Sequence, residues 1–295
     1  MKGAVGEAAP SRVSRAAVPP LRRFWLCADD YGMAPGVNRA IRDLFAQGRI
    51  NATSVMTVGP SFSDAEAQEL ARAGAERSAA IGLHFTLTAP FRPASRGYRP
   101  IGRDGAFFSL AHTFAAGLPR RLDADALAVE AAHQFAAFRR AFGRPPDFVD
   151  GHQHVQVLPQ VGDALMAVMK KAAPSAWLRQ CGRAGPLSRR WRDPKGLALD
   201  LMSARLAART ARRGIRTNPA FAGTYNFHRT VPYDALFASF LDHLPDGGLV
   251  MCHPGFVDAE LRRLDDFLEM REVERTFFAG EQFPQLLASR GFALA

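Results

Sequence analysis

Two adjacent carboxylates, Asp29 and Asp30, stand at the end of the apolar run Phe24-Trp25-Leu26-Cys27-Ala28, and Tyr31-Gly32 closes the stretch. A short apolar run bounded by turn residues reads as a strand covered on both faces. Acids at its mouth are costly to bury unless a positive charge compensates them. Side chains alternate along extended backbone, so the two neighbours cannot point the same way. One can hold a metal while the other handles a proton. The plainer alternative is a surface turn in which Asp30 caps the helix that starts near Pro35.

Imidazoles recur in comparable positions downstream. His84 lies in the run Ala80–Thr88, His152 and His154 follow Asp150, and His253 follows the run Gly247–Cys252. At i and i+2 in extended backbone, His152 and His154 would share one face. One aspartate and two histidines, with positions left open for water, suit catalytic zinc or another divalent ion. Taken alone, His84 reads more simply as a hydrogen-bonded core residue. His112, His133, His228 and His243 fall in helical or loop context and receive no role.

The elements that must carry these groups alternate. Helical spacing covers residues 34–50, 63–77, 123–142, 160–172, 232–243 and 281–290, and strand-like runs occupy 53–58, 80–88, 147–150, 176–178 and 247–252. Residues 89–122, rich in Pro, Gly and Arg, carry no clean period and read as an active-site loop or lid. Residues 183–217 read as a basic helical insertion, and 218–225 as a loop. Such alternation implies an α/β fold with a largely parallel sheet. Four strand-like runs end in ionisable residues, and a (β/α) TIM-like barrel gathers groups from the C-terminal ends of its strands into one pocket.

The 295 residues suit one large domain, and 47% apolar content allows a sizeable core. The expected division is a disordered basic leader over 1–23 and a single domain over 24–295. No uninterrupted apolar run approaches the roughly 20 residues of a membrane span, and the leader lacks the apolar segment of a secretory signal. Cys27, Cys181 and Cys252 show no paired spacing, so buried thiols in a reducing cytoplasm are expected. The net charge of +10 invites a nucleic-acid reading. Its arginines are scattered, no nucleic-acid motif accompanies them, and an anionic lipid surface is an equally good partner.

Together the pieces resemble the YdjC-like carbohydrate deacetylases, which include chito-oligosaccharide deacetylases. The matching motifs are Ala28-Asp29-Asp30-Tyr31-Gly32, Ile81-Gly82-Leu83-His84, Val149-Asp150-Gly151-His152-Gln153-His154 and Met251-Cys252-His253-Pro254-Gly255. The resemblance implies a distorted barrel, one divalent metal ion (Zn2+ or Mg2+) and removal of N-acetyl groups from amino sugars. Carried over by residue, it implies Asp30, His84 and His152 as metal ligands, Asp29 as general base and His253 as general acid. His154 surrounds the metal or exchanges roles with His152. The family often has another histidine two residues further on, where this chain has Gln156. Asp150, Arg179 and Tyr225 are further candidates around the site, with Asp150 expected to support a protonated His253. Phe91, Phe107, Phe108 and Tyr225 are expected to form an apolar approach.

The arginine-rich leader and the loop Gly223-Thr224-Tyr225-Asn226-Phe227 resemble the hopanoid-biosynthesis branch of that family. That implies an N-acetylglucosaminyl hopanoid as substrate, a cytoplasmic protein, and peripheral contact with an anionic membrane face through the leader or the 183–217 arginines. No nucleic acid is expected, and a homodimer is compatible. A phosphodiesterase on the same ligands is the main rival, and a basic nucleic-acid-binding protein is the other.

Overall fold

A computed structural model describes residues 20–75, 77–99, 101–102, 104–185, 193–225 and 232–295. Eight strands are described: β1 (Arg22–Tyr31), β2 (Ala52–Val55), β3 (Ala80–Phe85), β4 (Phe148–Gly151), β5 (Trp177–Leu178), β6 (Phe221–Ala222), β7 (Gly248–Cys252) and β8 (Phe292–Leu294). Their order is β5-β4-β3-β2-β1-β7-β6, with β8 also paired to β1, and every pair is parallel. The sheet curls without closing fully: β5 and β6 do not pair, and the gap is spanned by the bridge between Arg183 and Phe221.

Helices pack outside the sheet: α1 (Pro35–Ala46), α2 (Asp64–Ala75), α3 (Leu110–Gly117), α4 (Ala124–Phe142), α5 (Pro159–Ala172), α6 (Pro194–Arg212), α7 (Tyr233–Leu241), α8 (Leu261–Leu264), α9 (Glu269–Ala279) and α10 (Gln282–Arg290). Strands covered in this way are buried on both faces, so β2, β3, β4 and β7 show no exposed residue. Their apolar side chains join those of the helices in one core.

The expected barrel-like α/β architecture is present, with several differences in detail. Arg22 and Arg23, assigned to the leader, begin β1, while residues 1–19 lie outside the described residues. The irregular 89–122 segment contains α3, and the 218–225 loop contains β6. The run 53–58 ends its strand at Val55, and 80–88 ends at Phe85. The charged segment 258–276 holds α8 and most of α9. Of the basic insertion, residues 186–192 lie outside the described residues and α6 is its helix.

Candidate active site

The two acids of β1 part company because the strand bulges between them. Ala28 pairs with Thr53 and Tyr31 with Val55, so β1 spends one more residue than β2 over the same span. A bulge of this kind re-aims side chains and often borders active sites. Asp30 takes a left-handed φ of 73°, a sparsely populated conformation for a residue with a side chain. Neighbouring Gly32, at φ 98°, lets the chain turn where an added Cβ would meet the Met56 carbonyl at 2.7 Å.

On one side, Asp29 meets Arg179, which follows β5. The guanidinium donates to Oδ2 at 2.6 Å and to Oδ1 at 2.7 Å, and it reaches Asp150 at 2.6 Å. Burial works to raise the Asp29 pKa, but Arg179 overrides it and holds the carboxyl well below its ordinary range. Cys27, Asp29 and Asp150 also lie close enough to suggest a metal cage. Arg179 already fills that position, touching the Cys27 sulfur at 2.9 Å as well as both carboxylates.

On the other side, Asp30 faces His84 on β3 and His152 after β4. Asp30 Oδ1 lies 3.3 Å from His84 Nε2 and 3.1 Å from His152 Nδ1. Arg271 of α9 donates to the second oxygen at 2.7 Å and also binds Asp265 at 2.6 Å. Burial would raise the Asp30 pKa; Arg271 and the two imidazoles bring it well below the ordinary value instead. The ligand atoms of Asp30, His84 and His152 lie within 4.8 Å of one another, a donor set of one carboxylate and two imidazoles.

His84 supports the fit to a metal most directly. Its Nδ1 is 2.7 Å from Asp150 and 2.9 Å from the Ser54 hydroxyl, so the other nitrogen is left to face Asp30. A carboxylate behind the histidine fixes ring and tautomer in metal sites. Burial favours a neutral ring, yet Asp150 raises the His84 pKa to about 10. An imidazolium between two carboxylates holds at Nε2 a proton that a divalent cation can replace.

Other expectations are corrected. His152 and His154 do not share a face of extended backbone, because His152–Val157 forms a short 3-10 helix in which Gln153 and His154 have positive φ. His154 turns away, its Nδ1 3.6 Å from the Cys181 sulfur and its ring edge-on to Phe221. Burial and then Arg179 push its pKa down to about 3. Asp150 supports His84 and Arg179, not His253. Burial lowers the His253 pKa below its ordinary 6.5, with Asp30 opposing, so the ring is neutral near pH 7 rather than protonated. Phe91 and Phe107 are buried instead of forming an open approach, and Tyr225 donates to Glu274 at 2.6 Å. Gln156 donates toward the Arg179 carbonyl and the Cys181 sulfur, which places it beneath the site.

Arg271, Glu274, Asp265 and Ser54 were missed. Glu274 accepts the His253 backbone N–H, and burial pushes its pKa up to about 7. The available signal was the apolar spacing of Met270, Phe277 and Phe278, which implies a helix that buries the face bearing Arg271 and Glu274.

Residues 23–289 match the family described as YdjC-like protein. The chain belongs to that family. Its relatives include the chitooligosaccharide deacetylase of Serratia marcescens, 27% identical over 278 residues, and that of Yersinia pestis (strain Pestoides F), 28% identical over 275. Each alignment covers 90% of this YdjC-like chain and 94% of the relative. A solved structure from Enterococcus faecalis V583, assigned to cellobiose-phosphate cleavage, shares the fold: 21% identity and TM-score 0.67 over 93% of this chain and 97% of that one.

Proposed function

We propose that this YdjC-like chain is a metal-dependent N-deacetylase of N-acetylglucosamine-type sugars. The observation that supports it most is the buried cluster of Asp30, His84 and His152, beside Asp29 and His253, at the C-terminal ends of parallel strands. Chitooligosaccharide deacetylases among the relatives supply the substrate class. A divalent cation held by the three residues supplies Lewis acidity toward the acetamide carbonyl and a more acidic water.

The chain's own groups move the protons. Asp29, kept a carboxylate by Arg179, accepts the proton of the attacking water. His253 protonates the leaving nitrogen, since an amine anion is too poor a leaving group. His253 enters the cycle neutral, so the proton it delivers is one that the attacking water released. Arg271 keeps one oxygen of Asp30 engaged and turns the other toward the histidines.

The finer reading is a lipid-linked sugar, an N-acetylglucosaminyl hopanoid, at an anionic membrane face. It is supported by the resemblance of the loop from Gly223, of which Asn226 and Phe227 lie outside the described residues. The test is acetate release from soluble and lipid-linked N-acetylglucosaminyl substrates, with and without EDTA, beside Asp29→Asn. Release that stops with EDTA and falls about 100-fold or more in the variant is expected. Cleavage of a phosphodiester without acetate release would replace this function with the phosphodiesterase alternative.

A further inference from the structure

Helix α3 wears its polarity inside out. Leu110-Ala111-His112-Thr113-Phe114-Ala115-Ala116-Gly117, followed by Leu118, is apolar on nearly every side. A helix of that kind belongs in a core or in lipid, yet this one lies on the surface. It buries Thr113 and Gly117 and leaves Leu110 and Leu118 37% and 50% exposed. Helical spacing joins Leu110, Ala111, Phe114, Ala115 and Leu118 into one stripe, in which both alanines are exposed and Phe114 is half-buried. A scattered exposed leucine is ordinary; a contiguous stripe marks an interaction surface.

Positive charge frames the stripe. Residues 86–122 hold six arginines against one aspartate. Arg120, just past the helix, shares Asp163 of α5 with Arg209 and Arg213 at 3.2, 3.1 and 3.2 Å. Three guanidinium groups on one carboxylate leave a positive excess near Leu118, and exposed Arg121 adds to it. Asp123 and Asp125 are the nearest acids along the chain, and Asp123 is engaged in capping α4. Apolar side chains flanked by arginine match the boundary between the acyl chains and headgroups of an anionic bilayer.

The helix is also continuous with the site. Phe108, immediately before its cap Ser109, accepts the Ala89 N–H, and Phe107 donates to the Phe91 carbonyl. The Phe91 ring stands edge-on 5.4 Å from His152. We propose that α3 and its flanking arginines form a membrane-docking surface that seats on an anionic bilayer and brings the mouth of the site to the lipid. This surface replaces the 183–217 arginines as the main apolar contact, and its use in catalysis rests on the lipid-linked substrate proposed above.

The test is sedimentation of the full chain with vesicles of phosphatidylcholine, alone or mixed with phosphatidylglycerol. Binding only to the anionic vesicles is expected, reduced by salt and weakened about tenfold or more in Leu110→Glu/Leu118→Glu. Arg121→Glu should weaken binding without touching the apolar stripe. Unchanged melting and unchanged acetate release from a soluble sugar separate this result from misfolding and from failure of the deacetylase reading. Wild-type protein that ignores anionic vesicles, or a double variant that binds equally well, overturns the proposal. A lipid-free dimer that the double variant dissociates would also overturn it, by making α3 a subunit contact.

Discussion

Asp29 and His253 carry the proton traffic proposed above, and their surroundings set the pH at which it runs. Arg179 keeps Asp29 ionised throughout the working range, so its protonation does not limit the rate. Burial lowers the His253 pKa from 6.5, and the neutral ring is the form that can receive the proton released by water. The rate at low substrate should therefore rise with pH as His253 loses its proton and level off by about pH 7. A rate that falls steadily from pH 6 to 8 would show that His253 must enter protonated, as the sequence alone suggested. The pairing of Asp150 with His84 was beyond the reach of sequence, because β3 and β4 must lie side by side before His84 and Asp150 come into register.

Among the elements, α9 matters more than its charged composition suggests. Glu274 links it to the end of β7 through the His253 backbone N–H and to Tyr225 through a hydroxyl. Burial raises the Glu274 pKa from 4.5 to about 7, so the fold favours the protonated acid. That contribution is complete below the unfolded value and is lost as pH rises through the folded one; it amounts to roughly 3 kcal/mol for this fully buried group. Glu274→Gln keeps the shape and removes the titration. Urea unfolding at pH 5 and pH 8 should show wild type losing more stability across that interval than the variant; equal losses would rule the linkage out. A stretch so rich in charge reads as solvated surface, and only packing against β7 turns one face of α9 inward. The bulge in β1 was equally hidden, although its consequence, two acids aimed apart, followed from strand alternation alone.

At the scale of the whole molecule the sheet is unevenly secured. β1 pairs with β2, β7 and β8, while β5 and β6 are two residues each and join through the Arg183–Phe221 bridge. Local opening follows the density of protected backbone hydrogen bonds. Amide exchange should therefore be fastest, among the strands, in β5 and β6 and slowest in β1 and β7. Mass-spectrometric exchange on the native chain checks this, and protection of Phe221 equal to that of Leu26 would contradict it. The seam is bordered by Arg179 and Cys181, so any opening there reaches the carboxylate that Arg179 holds.

The sequence by itself determined the alternation of buried strands and helices, because apolar runs and amphipathic periods are local properties. It also determined that Asp29, Asp30, His84, His152 and His253 fall at strand ends. Only the tertiary structure decided which of these meet. It set Asp30 with His84 and His152, turned His154 away through two left-handed residues, and brought Arg179 and Arg271 from distant elements to neutralise the acids. The physical reason is that burying a charge requires a partner, and the partner's place in the chain is set by strand order and helix packing rather than by spacing along the sequence.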